Sequence, residues 1–150
     1  MAVVDGRGIP MGLLVASANL AEIKLAEPTM ATIRVPKRKG RPKCRMKELV
    51  ADKGLALKAR PEGYDGKAFR QRLRKRGIKP CIPYRDFGYF RVGRKPDLSG
   101  YSDRWHVERT FGWLESFRRL LTRFERLIKV YMGLLYLAAS LICLRRLVSG

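Results

Sequence analysis

From Asp103 onward apolar residues recur at steps of three and four, at Val107, Phe111, Leu114, Phe117, Leu121, Phe124 and Ile128, which predicts one long amphipathic helix. Arg109, Arg118, Arg119, Arg123 and Arg126 fall on its other faces. The next run, residues 131–147, is apolar almost all round until Arg145, so it should be packed by other elements on most sides, with Gly133 allowing a close neighbour. Its uncharged stretch, residues 130–144, falls short of the roughly 20 apolar residues a spanning helix needs. A buried core helix is expected, and no membrane segment.

Toward the N-terminus the pattern shortens. Apolar runs at residues 2–4 and 11–16 flank Asp-Gly-Arg-Gly-Ile-Pro, where Gly6 and Gly8 can supply positive φ and Pro10 sets the exit, predicting an antiparallel hairpin. One or two helical turns follow from Glu22, stopped by Pro28, with another start at Met30. Residues 36–47, with seven basic residues, two prolines and a glycine in twelve positions, read as an exposed basic loop. Residues 48–51 read as a short buried strand with Asp52 at its end, where an acid faces a cleft more often than the core. Residues 67–76 form a strongly basic helix with Ala68 and Leu73 in a thin apolar stripe and Gly77 as its C-cap. KPCIPYR suggests a short or edge strand because of Pro80 and Pro83, and residues 86–100 read as a loop.

A chain of 150 residues fits one domain with one core. Its 33 Lys+Arg against 13 Asp+Glu, a formal charge of +20, favours a polyanionic partner, because each neutralised phosphate releases counterions. The charge is uneven: Arg7 and Lys24 are the only basic residues in the first 33 positions, and eighteen lie between Arg34 and Lys79. Cys44, Cys81 and Cys143 are scattered and His106 is the lone histidine, so neither a zinc site nor a disulfide framework is readable. Cys81 and Cys143 read as small buried hydrophobes, Trp105 and Trp113 as core anchors, and His106 as a packing or hydrogen-bonding residue. No export signal opens the chain, so a cytoplasmic protein is expected.

The candidate chemistry starts from Tyr101, Arg104 and Glu108, whose steps of three and four place them on one helix face. A carboxylate among cations either binds a metal or pairs with an arginine. Asp52 offers a matching acid, and hard cations such as Mg²⁺ take oxygen ligands, so the pair suggests metal-dependent phosphoryl chemistry on nucleic acid. The bland readings stand beside it: Asp52 as a turn residue, Glu108 as a surface ion pair with Arg104. In the basic helix Arg70 and Arg74 are candidate phosphate contacts, since six basic residues between Gly66 and Gly77 repel each other without a counterion.

The strings VVDGRGIPMGLLVASAN, LVADKG, GYDGKAFRQRLRKRGIKPCIP and RWHVERTFGWLESFRRLLTRFERL…YMGLLYLAASLICLRRL resemble, in this order, the C-terminal part of bacterial insertion-sequence transposases of the DDE type. The similarity covers nearly the whole chain. It implies an α/β, RNase H-like catalytic domain with a mixed sheet, flanking helices and long C-terminal helices, truncated at its N-terminus. It implies Asp52 as the second triad acid and Glu108 as the third, both ligands of Mg²⁺ or Mn²⁺. Tyr101 and Arg104 fit the Tyr-x-x-Arg-x-x-x-Glu signature, implying DNA contacts, with Arg109, Arg118 and Arg119 as weaker backbone candidates.

Three departures qualify the resemblance. The family's first aspartate lies on a strand upstream of the hairpin, and Asp5 does not match it. A lysine expected seven residues beyond the glutamate is Glu115 here. Residues 55–63 stand as an insertion between Asp-Lys-Gly and Tyr-Asp. The implied activity is metal-dependent cleavage and strand transfer at insertion-element ends, with transposon-end and target DNA as partners and a homo-oligomer compatible. With one acid absent it would be incomplete in this chain alone, unless an upstream reading-frame product supplies that acid. The rival class is a non-catalytic basic nucleic-acid-binding protein.

Overall fold

A computed structural model describes residues 1–17, 19–52, 66–84 and 95–148. The elements run β1 (Ala2–Val4), β2 (Pro10–Leu13), α1 (Glu22–Ala31), β3 (Glu48–Val50), α2 (Lys67–Lys75), β4 (Lys79–Cys81), a 3₁₀ turn (Tyr101–Arg104), α3 (Trp105–Glu115), α4 (Arg118–Leu121) and α5 (Ile128–Val148). They form two compact units, one of Met1–Cys44 with Trp105–Gly150, the other of Arg45–Arg104. The chain is therefore α/β, but the one mixed sheet expected of an RNase H-like fold is not seen among the described residues. They carry two separate two-stranded sheets. The 55–63 insertion lies outside the described residues.

In the first unit β1 and β2 pair antiparallel, Ala2 opposite Leu13 and Val3 opposite Gly12, with an irregularity after Val3 that lets Pro10 sit in β2. Asp5 makes the turn: its Oδ1 accepts the Arg7 and Ile9 amides at 2.8 and 2.9 Å. Gly8 takes φ of 80° there, the positive value the turn needs. The helix from Glu22 does not stop at Pro28. It continues to Ala31, although proline removes a hydrogen bond at a cost of about 3 kcal/mol. Burial of Ala26, Thr29 and Met30 offsets that cost, and the Thr29 hydroxyl donates to the Leu25 carbonyl at 2.6 Å.

The core of this unit joins Leu13, Leu114, Leu135, Ala138, Ala139 and Ile142, with Trp113, Phe117, Leu120 and Met132 packed against it. The single long helix expected from Asp103 is broken. Phe117 adopts φ −84°, ψ 103°, extended backbone that ends α3 and starts α4. Of the spaced apolar positions Leu114 is buried and Val107 and Phe117 are half-buried, but Phe111, Leu121, Phe124 and Ile128 are 40, 64, 73 and 48% exposed. The chain between α4 and α5 is held instead by polar contacts. Arg123 donates from Nε to the Glu125 carbonyl at 3.0 Å, and the Tyr131 hydroxyl donates to the Leu120 carbonyl at 3.3 Å.

α5 departs from expectation as well. It buries only the stripe Leu135, Ala138, Ala139 and Ile142, and leaves Leu137, Leu144 and Leu147 exposed. Among the described residues nothing lies within 4 Å of a side chain added at Gly133, so none of them exploits that glycine as a close neighbour. At 21 residues and mean hydropathy 1.6 the helix is long and apolar enough to cross a membrane by length and composition. Its inner face nevertheless belongs to a packed protein core.

In the second unit β3 and β4 pair parallel, Glu48 with Lys79, Leu49 with Pro80 and Val50 with Cys81. A parallel pair needs a crossover, and α2 lies on it. β3 is half-buried rather than buried. α2 buries Phe69, Arg70 and Leu73, whereas Ala68 is exposed, so the apolar stripe runs one position away from the one expected. Its end is a Schellman cap: Ile78 N–H donates to Leu73 O at 2.9 Å, Gly77 N–H to Arg74 O at 2.8 Å, and Gly77 has φ of 67°.

Candidate functional site

Asp52 lies two residues beyond the end of β3, and the backbone there is set by the strand pairing that runs through Val50 to Cys81. Tyr101 and Arg104 come from the 3₁₀ turn, in which residues three apart eclipse. The two side chains therefore share a face, as the sequence predicts, although the turn is 3₁₀ and not α. Both reach the same acid. The Tyr101 hydroxyl donates to Asp52 Oδ1 at 3.1 Å, and Arg104 Nη1 donates to Asp52 Oδ2 at 3.2 Å. The guanidinium also lies 5.8 Å from the Tyr101 ring centroid.

Burial pushes the Tyr101 phenol above its usual range, and the hydrogen bond to Asp52 adds to the shift, so tyrosine stays a proton-bearing donor at neutral pH. Asp52 thus accepts a hydrogen bond on each oxygen. The side chain is 56% exposed, so a hard cation can reach it. Among the described residues no group of three His, Cys, Asp or Glu could hold a metal ion. Asp52 therefore fits as one member of a ligand set, not as a whole site.

A second polar cluster in the same unit was not legible in the sequence. Lys79 Nζ bridges Asp97 at 2.7 Å and Glu48 at 3.3 Å, tying the start of the strand pair to the segment before the 3₁₀ turn. That lysine holds the Asp97 carboxyl well below the ordinary carboxylate range, and Asp97 in turn raises the lysine. Burial pushes up the thiol of Cys81, which lies fully inside.

Glu108 sits on α3 in the first unit and is exposed. The two residues after it do structural work. Arg109 Nη2 donates to the Arg7 carbonyl at 2.6 Å and contacts His106 Nδ1 at 3.1 Å, while its guanidinium lies 4.4 Å from the Trp105 ring and 4.9 Å from the Trp113 ring. The fully buried Thr110 hydroxyl reaches the Gly8 carbonyl at 2.6 Å and the His106 carbonyl at 2.9 Å. A side chain at Gly8 would meet Arg109 Nη2 at 3.0 Å, so glycine is required by space as well as by φ. Glu-Arg-Thr thus presents the acid outward and clamps the hairpin turn with its next two members.

The remaining candidates divide. Arg70 is corrected: it is 2% exposed, donates to the Pro83 carbonyl at 3.1 Å and lies 4.3 Å from the Tyr84 ring centroid, so it is a core arginine and not a phosphate contact. Arg74 and Arg118 are exposed. Arg119 pairs with Glu125 at 3.3 Å. His106 is a hydrogen-bonding residue, as expected, and Cys81 a buried one. Trp113 packs on the core, but Trp105 is 49% exposed and serves as a platform for Arg109 instead of a core anchor.

A family model described as "Transposase DDE domain" matches residues 1–143. A protein described as "Putative transposase for insertion sequence element IS402", from Burkholderia cepacia, is 36% identical over 143 residues, covering 94% of this chain. The chain spans 60% of the length of that curated relative. No solved structure matches the chain.

Proposed function

This chain belongs to the transposases with a DDE domain, and from that premise we propose that it contributes two acids, Asp52 and Glu108, to metal-dependent cleavage and strand transfer at insertion-element ends. The observation that carries the reading is the Asp52 cluster: Tyr101 and Arg104, far from Asp52 in sequence, both bond its carboxylate. A guanidinium at 3.2 Å favours the ionised carboxylate that metal ligation requires. The phenol orients the same group, and Arg104, with Tyr101 by exchanging its one proton from Asp52, would donate to DNA phosphate oxygens when the backbone approaches. Mg²⁺ or Mn²⁺, held by Asp52 and Glu108, would neutralise charge developing on the phosphodiester.

Asp5 is not taken into the set: its Oδ1 shapes the turn by accepting two backbone amides, and the family's first aspartate lies on a strand upstream of the hairpin. The reading takes a further aspartate from outside residues 1–150; an upstream polypeptide that carries it is one source. Arg74, Arg118 and Arg119 would contact the DNA backbone, at transposon ends and target alike. Arg109, already holding the Arg7 carbonyl, acts by positioning α3. The test is nicking of element-end duplexes in Mg²⁺ by this chain with and without the upstream polypeptide. Activity confined to the mixture, and lost with Asp52→Asn or Glu108→Gln, is the expected result; a mixture unaffected by both substitutions refutes it.

A further inference from the structure

The basic segment expected as an exposed loop has a defined shape. Val35 N–H donates to Lys43 O at 2.9 Å and Lys43 N–H to Val35 O at 2.8 Å, closing residues 36–42 into a loop. Arg34 Nη1 donates to the Ala31 and Ile33 carbonyls at 3.0 and 2.8 Å, which ties the base of the loop to the end of α1. At the tip Gly40 adopts φ of 87°, with none of the described residues within 4 Å of where a side chain would start. Lys37, Arg38, Lys39 and Arg41 surround that glycine, all exposed, and no Asp or Glu occurs between residues 28 and 47. Among the described residues no carboxylate pairs with any of the four.

Charges this close lie within one Debye length, about 8 Å at physiological salt, and repel. A free linker would relieve that repulsion by spreading, yet two backbone hydrogen bonds gather the charges at one exposed tip. We propose that this loop is a DNA-backbone clamp, a site for the phosphates of duplex DNA; the proposal rests on the chain's acting on DNA. Cations spaced at most about 3.4 Å per residue face a duplex carrying one charge per roughly 1.7 Å of axis, so each side chain finds a phosphate on one strand or the other. The flexible lysine and arginine stems contact phosphates without reading bases, so the clamp is indifferent to sequence.

The experiment measures affinity of the full chain for a short random-sequence duplex against salt, by fluorescence anisotropy. One variant combines Lys37→Ala, Arg38→Ala, Lys39→Ala and Arg41→Ala. A second combines Lys24→Ala, Arg126→Ala, Lys129→Ala and Arg145→Ala, removing equal charge from exposed positions elsewhere. A third, Gly40→Val, strains the tip with no change of charge. The loop variant should lower the slope of log affinity against log salt by about three to four and weaken binding at least about tenfold, the second variant by less than one unit of slope. Gly40→Val should weaken binding severalfold. Equal losses in the two charge variants, or an unaltered Gly40→Val, overturn the clamp while leaving DNA binding standing. Failure of the unaltered chain to bind duplex overturns the DNA reading itself.

Discussion

Replacing Thr110 with valine keeps the volume of a fully buried side chain and removes only its hydroxyl. That hydroxyl lies 2.6 Å from the carbonyl of the buried Gly8 and 2.9 Å from that of His106, and its single proton serves one of them at a time. The turn's other long-range donor, Arg109, is committed to the Arg7 carbonyl, so nothing replaces the lost donor. A net hydrogen bond contributes about 1 kcal/mol, and leaving a buried acceptor without a donor adds about 1 to 2 kcal/mol, so the expected loss is about 2 to 3 kcal/mol. With a urea dependence of about 1 to 3 kcal/mol per molar for a small protein, the unfolding midpoint should fall by about 1 M. Trp105 and Trp113 flank the clamp through Arg109 and supply the fluorescence signal. Thr110→Ser retains the hydroxyl and should lose only about 1 kcal/mol, the value of one methyl group. A valine variant as stable as the parent, or less damaging than serine, refutes the clamp.

Two further outcomes follow from burial and charge. Ile142→Ala, at a side chain 4% exposed, should cost about 2 to 4 kcal/mol, whereas Leu147→Ala, five residues along the same helix and 78% exposed, should change stability by under about 0.5 kcal/mol; equal effects would contradict the one-sided packing of α5. Because Lys79 depresses the Asp97 carboxyl, the ionised pair stabilises the fold above the ordinary carboxylate value of about 4, and that contribution is lost as pH falls through the depressed folded-state value. The stability gap between the parent and Asp97→Asn, followed by urea unfolding, should therefore shrink as the solution is acidified, and a gap independent of pH contradicts the pairing.

Local signals carried much of the fold. The hairpin was readable because Asp5, Gly8 and Pro10 encode a turn between apolar runs, and the end of α2 because Gly77 alone there tolerates positive φ. What failed depended on tertiary context. Pro28 stops a helix by local rules, but the burial of Met30 and its neighbours carries α1 through it. Charge suggested a solvated Arg70, yet the face of Tyr84 and the carbonyl of Pro83 make room for it inside. An all-apolar α5 suggested burial on every side, and only one stripe is covered.

The site was legible in part for the same reason. The spacing of Tyr101 and Arg104 put them on one face, as the 3₁₀ turn does. No periodic signal links either residue to Asp52, which lies 49 and 52 positions away. The roles of Arg109 and Thr110 were likewise hidden, because their partners are backbone carbonyls of a distant turn, which leave no mark on residue type.

The central claim is that Asp52 and Glu108 hold one divalent ion, and iron-directed cleavage of the polypeptide tests it most directly. Fe²⁺ with ascorbate and hydrogen peroxide, bound in place of Mg²⁺ to the chain, generates radicals that cut the backbone beside its ligands. The account predicts cuts next to both residues, suppressed together by Asp52→Asn, by Glu108→Gln or by excess Mg²⁺. Cutting at one position only, or each substitution silencing only its own cut, would contradict it.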